Sequence, residues 1–102
     1  MKVFLTPEAK ADIRLAATWY RERSALAADD FLAAVAAAFR RIEEQPTAQV
    51  VVDKETKARR ALLRKFPHRV LYLVDGDKAV VFAVAHVRRG DPAWRERLDS
   101  AS

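Results

Sequence analysis

The chain has 102 residues, of which 51% are hydrophobic, and it carries 19 Lys and Arg against 14 Asp and Glu with no cysteine. This length predicts one domain over residues 1–102 with a single core, and the lack of cysteine excludes disulfides and thiolate metal sites. The N-terminus turns acidic at once and no apolar run reaches the ~20 residues of a membrane span, so we expect a cytoplasmic protein without membrane contact.

The chain begins with a short strand that leads into a helix. Residues Lys2–Leu5 form an apolar run that is too short for a helix and favours a strand. Thr6 is placed to cap a helix, because Pro7 suits the first helical position and Glu8 the first turn. The residues at helical spacing on one face are Ala9, Ile13, Ala16, Ala17 and Tyr20.

A second helix is predicted from about Leu26 to Glu44, with Ser24 as its cap. Its buried stripe consists of Phe31, Val35, Phe39 and Ile42, widened by Leu32. Because only a few residues separate the two helices, they should form an antiparallel hairpin. For residues 47–58 the sequence allows two interpretations, a short strand at residues 50–52 or an extended linker.

Three antiparallel strands follow, at Ala58–Lys65, Arg69–Asp75 and Lys78–His86. The sequence Asp75-Gly76-Asp77 is typical of a tight hairpin turn, because Asp-Gly tolerates a positive φ angle. Asp91 and Pro92 predict the start of a short C-terminal helix.

The predicted fold is therefore α+β, with the order β-α-α-β-β-β and a short terminal helix. The helical hairpin should pack on one face of an antiparallel sheet that includes the first strand, and the other face should be partly open. Residues 58–102 carry ten Lys and Arg against five Asp and Glu, whereas residues 1–57 carry nine of each. The formal charge of +5 therefore belongs to the sheet and tail, which indicates an acidic or polyanionic partner.

The chain has two residues, His68 and His86, that could ligate a metal through imidazole. His68 and His86 have no histidine or carboxylate at motif spacing. We therefore expect neither a metal nor another cofactor.

Two motifs link this order of elements to a known family. Residues 62–72 read LLRKFPHRVLY, and residues 84–89 read VAHVRR. They resemble the RelE/ParE superfamily of type II toxin–antitoxin toxins, in particular its ParE-like branch, where an Arg-x-Phe-Pro-aromatic-Arg hairpin precedes a strand that ends in His and two arginines. His68 replaces the usual aromatic residue. The helix opening at residues 6–9 and the pair Trp19-Tyr20 also resemble this branch.

The resemblance implies one of two mechanisms. RelE-like members cleave mRNA on the ribosome, and ParE-like members poison DNA gyrase. RNA cleavage requires an acid, a base and cations that stabilise the phosphorane, and the resemblance places Arg60, Arg69 and Arg89 at cationic positions. Leu62 and Trp94 stand near the places of a RelE-like lysine and tyrosine, which favours the non-enzymatic branch. Histidine is the residue type that commonly acts as a general base near neutral pH, so His86 is the candidate for that role.

Several residues keep two interpretations. The basic residues of the sheet either contact the target or form a solvated face with structural ion pairs. Trp94 either anchors the terminal helix or stacks on a partner.

Other residues have one expected position. His68 is expected to be exposed in its turn, whereas Trp19 and Tyr20 are expected in the core. The predicted target-binding residues are Arg64, Arg69, His86, Arg88, Arg89 and Trp94. If the chain is RelE-like, the catalytic candidates are Arg60, Arg69, Arg89 and His86.

The leading hypothesis is a ParE-like toxin that inhibits DNA gyrase and is neutralised by a ParD-like antitoxin. The resemblance implies that the C-terminal region of this antitoxin folds onto the toxin, with apolar burial along the helical hairpin and carboxylate–arginine pairs on the sheet. A RelE-like ribonuclease acting on ribosome-bound mRNA is the first alternative. A non-toxic basic nucleic-acid-binding module is the second, and it predicts steeply salt-dependent binding.

Overall fold

The computed structural model of the chain describes residues 1–88 and 94–98 and confirms the α+β fold. The predicted order of strands and helices is present, with one additional short strand after the second helix. The elements are β1 (Lys2–Leu5), α1 (Pro7–Arg21), α2 (Ala25–Glu44), β2 (Val50–Val51), β3 (Arg59–Leu62), β4 (His68–Asp75) and β5 (Lys78–His86). Residues 94–98 are helical, and the predicted cap at Asp91 and Pro92 lies outside the described residues.

Both helices begin where the sequence predicts. The Thr6 hydroxyl accepts a hydrogen bond from the Ala9 N–H at 3.1 Å, and the Ser24 hydroxyl accepts one from the Ala27 N–H at 3.2 Å. Each hydroxyl satisfies one of the amide groups that a helix N-terminus leaves unpaired. The two helices pack together as a hairpin, as predicted.

The five strands form one sheet in the order β1-β5-β4-β3-β2. The pairs β5–β4, β4–β3 and β3–β2 are antiparallel, but β1 pairs with β5 in parallel, so the expectation of an antiparallel sheet that includes the first strand is wrong for β1. Since a parallel neighbour requires a long crossover connection, the direction of β1 depends on the whole path through the helices and strands between them. Local sequence patterns do not contain that information.

The strand β3 is shorter than predicted and ends at Leu62 instead of Lys65. Lys65 has a φ angle of 70°, in the left-handed region that interrupts a strand. The undecided segment 47–58 contains the two-residue strand β2, which pairs with Arg59 and Arg60. The tight turn after β4 is confirmed, with Gly76 at a φ angle of 62°.

A bulge divides the longest hairpin of the sheet. Leu71 lies opposite Ala83 and Tyr72 lies opposite Val81, so Phe82 has no partner across the strand. As a result, both Phe82 and Ala83 belong to the cluster on the sheet face away from the helices, while Val81 faces the helices.

This second face is more covered than we expected. Phe82 and Leu71 are fully buried there under Trp94 and Leu98 of the C-terminal helix, which are 2% and 3% exposed. The expectation of a partly open face is therefore wrong for its centre. The sheet has a hydrophobic cluster on each side, and basic residues of this face lie towards its margin.

A carboxylate at the margin of the sheet holds the C-terminal helix in place. Asp12 on α1 is 8% exposed and accepts a hydrogen bond from the Val84 N–H at 2.9 Å. Both of its oxygens also accept from the Arg97 guanidinium, at 2.5 and 3.0 Å. This two-point contact raises the pKa of Arg97 further above its usual value.

A second ion pair holds the other side of the same helix. Asp53 accepts from the Arg95 guanidinium at 2.9 Å and from the backbone N–H of Thr56 at 3.0 Å, and the Thr56 hydroxyl donates to it as well. These contacts, led by the hydrogen bond from the Thr56 side chain, lower the pKa of Asp53 to about 2.

We expect Asp12→Ala to lower the free energy of unfolding by about 3 kcal/mol, because it leaves the Val84 N–H and a partly buried guanidinium without their acceptor. The control Asp29→Ala, at an exposed position of α2, should change it by less than about 0.5 kcal/mol. Urea denaturation measures both values. Equal stability of the two variants would contradict the role of Asp12.

The pairing of Asp53 predicts a loss of stability in acid. Because its folded-state pKa lies near 2, below the ordinary value of about 4, its contribution is complete above pH ~4 and disappears as the pH falls through about 2. Asp53→Asn should therefore reduce the pH dependence of the unfolding free energy between about pH 4 and pH 2, which we call the acid limb. Asp77→Asn, in the exposed hairpin turn, should leave the acid limb unchanged. Urea denaturation at several pH values tests this, and identical acid limbs for wild type and Asp53→Asn would refute it.

Candidate functional site

The sheet brings most of the predicted site residues to one end. Strand β3 ends, β4 begins and β5 ends there, because β4 runs antiparallel to both neighbours. Arg64, Arg69, His86 and Arg88 therefore lie near this end. Arg60 lies two residues before the end of β3, opposite Leu71.

The two sheet faces divide this set. Ala61 and Val70 belong to the cluster under the helices, so strand alternation points the neighbouring Arg60 and Arg69 to the opposite face. Both arginines are half-buried. They form the basic part of the face that carries Trp94.

His86 lies on the helical side instead. It is opposite His68 in the strand register, and the two ring centroids are 5.3 Å apart. Its Nδ1 accepts a hydrogen bond from the Arg88 N–H at 3.1 Å, which holds the ring against the chain that leaves β5. The sheet therefore separates His86 from Arg60 and Arg69.

His68 is buried, which contradicts the expectation of an exposed residue in a turn. It is the first residue of β4, and its ring packs 5.1 Å from that of Phe31 and 6.1 Å from that of Tyr20. Tyr20 stacks on Phe31 at 5.2 Å, as expected of a core residue. The histidine at this position thus contributes to an aromatic cluster between helices and sheet.

Trp19 is 51% exposed, so the expectation of a core residue is wrong. Successive helical residues point about 100° apart, and Tyr20 takes the inward direction while Trp19 points outward. The guanidinium of Arg23 lies 3.5 Å from the centre of the Trp19 ring. Trp19 and Leu15 line one wall of an open cleft of about 390 Å³ that also contains His86.

A second concavity, of about 290 Å³, lies beside β3 and contains three arginines. Arg41 comes from α2, Arg60 from β3 and Arg64 from the segment that follows β3. Arg41 donates a hydrogen bond to the carbonyl oxygen of Leu62, which fixes one edge of its guanidinium. We call this group the arginine cluster.

The arginine cluster has an uncompensated positive charge. Burial lowers the pKa of Arg41, and the charge of Arg64 lowers it further. Within residues 1–88 and 94–98, ion pairs join Lys78 to Asp75, Arg95 to Asp53 and Arg97 to Asp12, and none reaches the cluster. Arg60 and Arg64 were candidates from the sequence, but Arg41 was missed because the pair Arg40-Arg41 on a helix resembles an ordinary solvated helix surface.

The remaining candidates differ in exposure. Arg88 is exposed after the end of β5. Trp94 is buried and packs on Phe82, with ring centroids 6.2 Å apart, so its position corresponds to the anchoring interpretation. Arg89 lies outside the described residues.

Two features are absent from the described part of the chain. It contains no group of three or more His, Asp or Glu side chains that could hold a metal ion. None of its helices is long and apolar enough to cross a membrane.

Comparison with known proteins identifies the family. The model of the ParE toxin of type II toxin–antitoxin system, parDE, matches residues 3–90. Among solved structures, a chain of the chromosomal ParDE TA system from P. aeruginosa superposes with a TM-score of 0.61 at 16% identity, over 84% of this chain and 95% of that chain. At this identity the likeness shows a shared fold. No curated protein matches the sequence.

The two tryptophans should differ strongly in their contribution to stability. We expect Trp94→Ala to lower the free energy of unfolding by about 3–5 kcal/mol, because it empties a buried site between the C-terminal helix and the sheet. Trp19→Ala should lower it by less than about 1 kcal/mol, since it removes mainly a solvent-exposed contact with Arg23. Urea denaturation monitored by circular dichroism compares the two, and a reversed order would contradict the placement of both side chains.

Proposed function

The chain belongs to the ParE toxin family of type II toxin–antitoxin systems, and we propose that it arrests bacterial growth by inhibiting DNA gyrase until a ParD-like antitoxin neutralises it. In this proposal the toxin acts by binding, without catalysis of its own. The family match over residues 3–90 supports the toxin class, and the placement of His86 supports the binding mechanism.

The position of His86 is the observation that carries the choice of mechanism. A ribonuclease needs its acid or base within hydrogen-bonding reach of the atoms whose charge the cations stabilise. Arg60 and Arg69 point to the face away from the helices, while His86 pairs with His68 on the helical side. This arrangement favours a toxin that binds its target over a RelE-like enzyme that uses these residues together.

The gyrase target also agrees with the basic character of this end of the sheet. Arg88 is exposed after β5, and Arg69 is half-buried at the start of β4 near the same end. We propose Arg69, Arg88 and Arg89 as target contacts, with Trp94 acting indirectly by holding the C-terminal helix on the sheet.

Tightly induced expression without the antitoxin tests the proposal. We expect an early DNA-damage response while amino-acid incorporation continues, and inhibition of supercoiling by purified gyrase, because the toxin acts on DNA topology before translation. Arg69→Ala/Arg88→Ala should weaken both effects at least about tenfold. Arg14→Ala/Arg40→Ala removes the same charge from exposed positions of the two helices and is the matched control.

The ribonuclease alternative has a distinct result. An immediate stop of translation, with cleaved mRNA and intact supercoiling, would overturn the gyrase proposal. In that case Arg60→Ala or Arg69→Ala should abolish cleavage, because both residues occupy the positions that the RelE-like resemblance assigns to phosphate stabilisation. Salt-dependent nucleic-acid binding without any growth effect would instead support a basic binding module.

A further inference from the structure

We propose that His68 and His86 form a pH-sensitive switch, which holds the chain after β5 in place while both rings are neutral and releases it when the pair takes up a proton. These two residues are the only histidines in the sequence. They lie directly opposite each other, where β4 begins and β5 ends. The switch belongs to the folded chain itself, so it depends on neither the target nor the antitoxin.

The two imidazole rings are close enough for their charges to interact. Their centroids are 5.3 Å apart on the helical side of the sheet. Both rings line the open cleft of about 390 Å³, through which solvent reaches them. Two positive charges at such a separation repel each other, and the repulsion is stronger where the protein excludes water. The folded chain therefore favours the neutral pair over the doubly charged one.

The surroundings of His68 also suit a neutral ring. This residue is 8% exposed, and its ring centroid lies 5.1 Å from that of Phe31 on α2 and 6.1 Å from that of Tyr20 on α1. An aromatic ring attracts a nearby cation, but it does not replace the water that a buried imidazolium loses. Because both imidazoles are hydrated in the unfolded chain, proton uptake stabilises that chain more than the folded one.

Most of the charged groups around the pair are positive. Asp12 of α1 lines the same cleft, but both of its oxygens already bind the guanidinium of Arg97. Other charged side chains, beside the cleft or close in sequence to the pair and to Phe31, are Arg23, Asp30, Lys65, Arg69 and Arg88. Four of these five are cations, and Asp30 is exposed to solvent. A proton taken up by the pair therefore enters a basic part of the chain.

His86 connects the pair to the chain that leaves β5. Its Nδ1 accepts the hydrogen bond from the Arg88 N–H at 3.1 Å. A neutral imidazole has one nitrogen that can accept, whereas both nitrogens of an imidazolium donate. Proton uptake by His86 therefore breaks this bond. The adjacent bond, from the Val87 N–H to the Pro67 carbonyl oxygen at 2.9 Å, involves no titrating group and should remain.

The pH dependence of stability tests the pair. We expect the unfolding equilibrium constant, measured by urea denaturation, to rise at least about tenfold from about pH 7 to about pH 5, because hydrated imidazole takes up a proton near pH ~6.5 and the folded chain disfavours that charge. The double variant His68→Phe/His86→Asn should remove this rise, since Phe keeps an aromatic ring in the cluster and neither new side chain titrates. An equal rise in wild type and double variant would overturn the proposal, as would a wild-type constant that does not change.

The link to the chain after β5 has its own test by NMR. The Arg88 amide proton should shift upfield between about pH 7 and about pH 5, in step with the ring signals of His86, because it loses its acceptor. The Val87 amide is the internal control and should not follow this titration. His86→Asn offers a side-chain oxygen as a permanent acceptor, so its Arg88 amide signal should stay in place. An Arg88 signal that does not move in the wild type would refute the release of this segment, even if His68→Phe alone fails to fold.

These measurements use the chain by itself. Failure of the gyrase proposal therefore leaves their outcome unchanged, and a flat pH profile leaves the gyrase proposal unchanged.

Discussion

The Asp12 carboxylate is the contact on which the arrangement of the sheet margin depends. Strand β1 pairs with β5 only as far as Val81, so the amide groups of β5 beyond that point need another acceptor. Asp12 provides one for Val84, and its two oxygens also bind Arg97. One side chain thus accepts from the Val84 amide of β5, connects α1 to that strand and holds the helix at residues 94–98. An unpaired buried amide is costly, which explains why a carboxylate occupies an otherwise apolar helix face.

This contact determines which surfaces remain for binding. With Arg97 held by Asp12 and Arg95 by Asp53, the C-terminal helix covers Phe82 and Leu71 with Trp94 and Leu98. The centre of the second sheet face is then a hydrophobic cluster and not a basic platform. Of the arginines near the sheet, Arg64 after β3 and Arg88 after β5 are exposed at its margin.

The parts of the fold that the sequence predicted are those determined by neighbouring residues. Thr6 and Ser24 cap their helices because a hydroxyl needs only an amide three residues away, and Gly76 forms its turn for similarly local reasons. The parallel direction of β1 and the burial of His68 depend on how distant elements meet. The exposure of Trp19 does not: the helical face of Ala9, Ile13, Ala16 and Tyr20 already turns Tyr20 inward, and Trp19 lies about 100° away from it.

The same distinction applies to the candidate site. Arg60 and Arg64 could be proposed from the charge of the strands, whereas Arg41 joins them only because α2 crosses beside β3. Net charge alone does not separate cations that stabilise the fold from cations that remain for a partner. The contacts do: Arg95 and Arg97 each bind a carboxylate of the chain, and Arg41 binds a carbonyl oxygen while a neighbouring cation repels it. Because repulsion between like charges does not stabilise a fold, the contacts of each arginine, and not the net charge, show which cations hold the chain together.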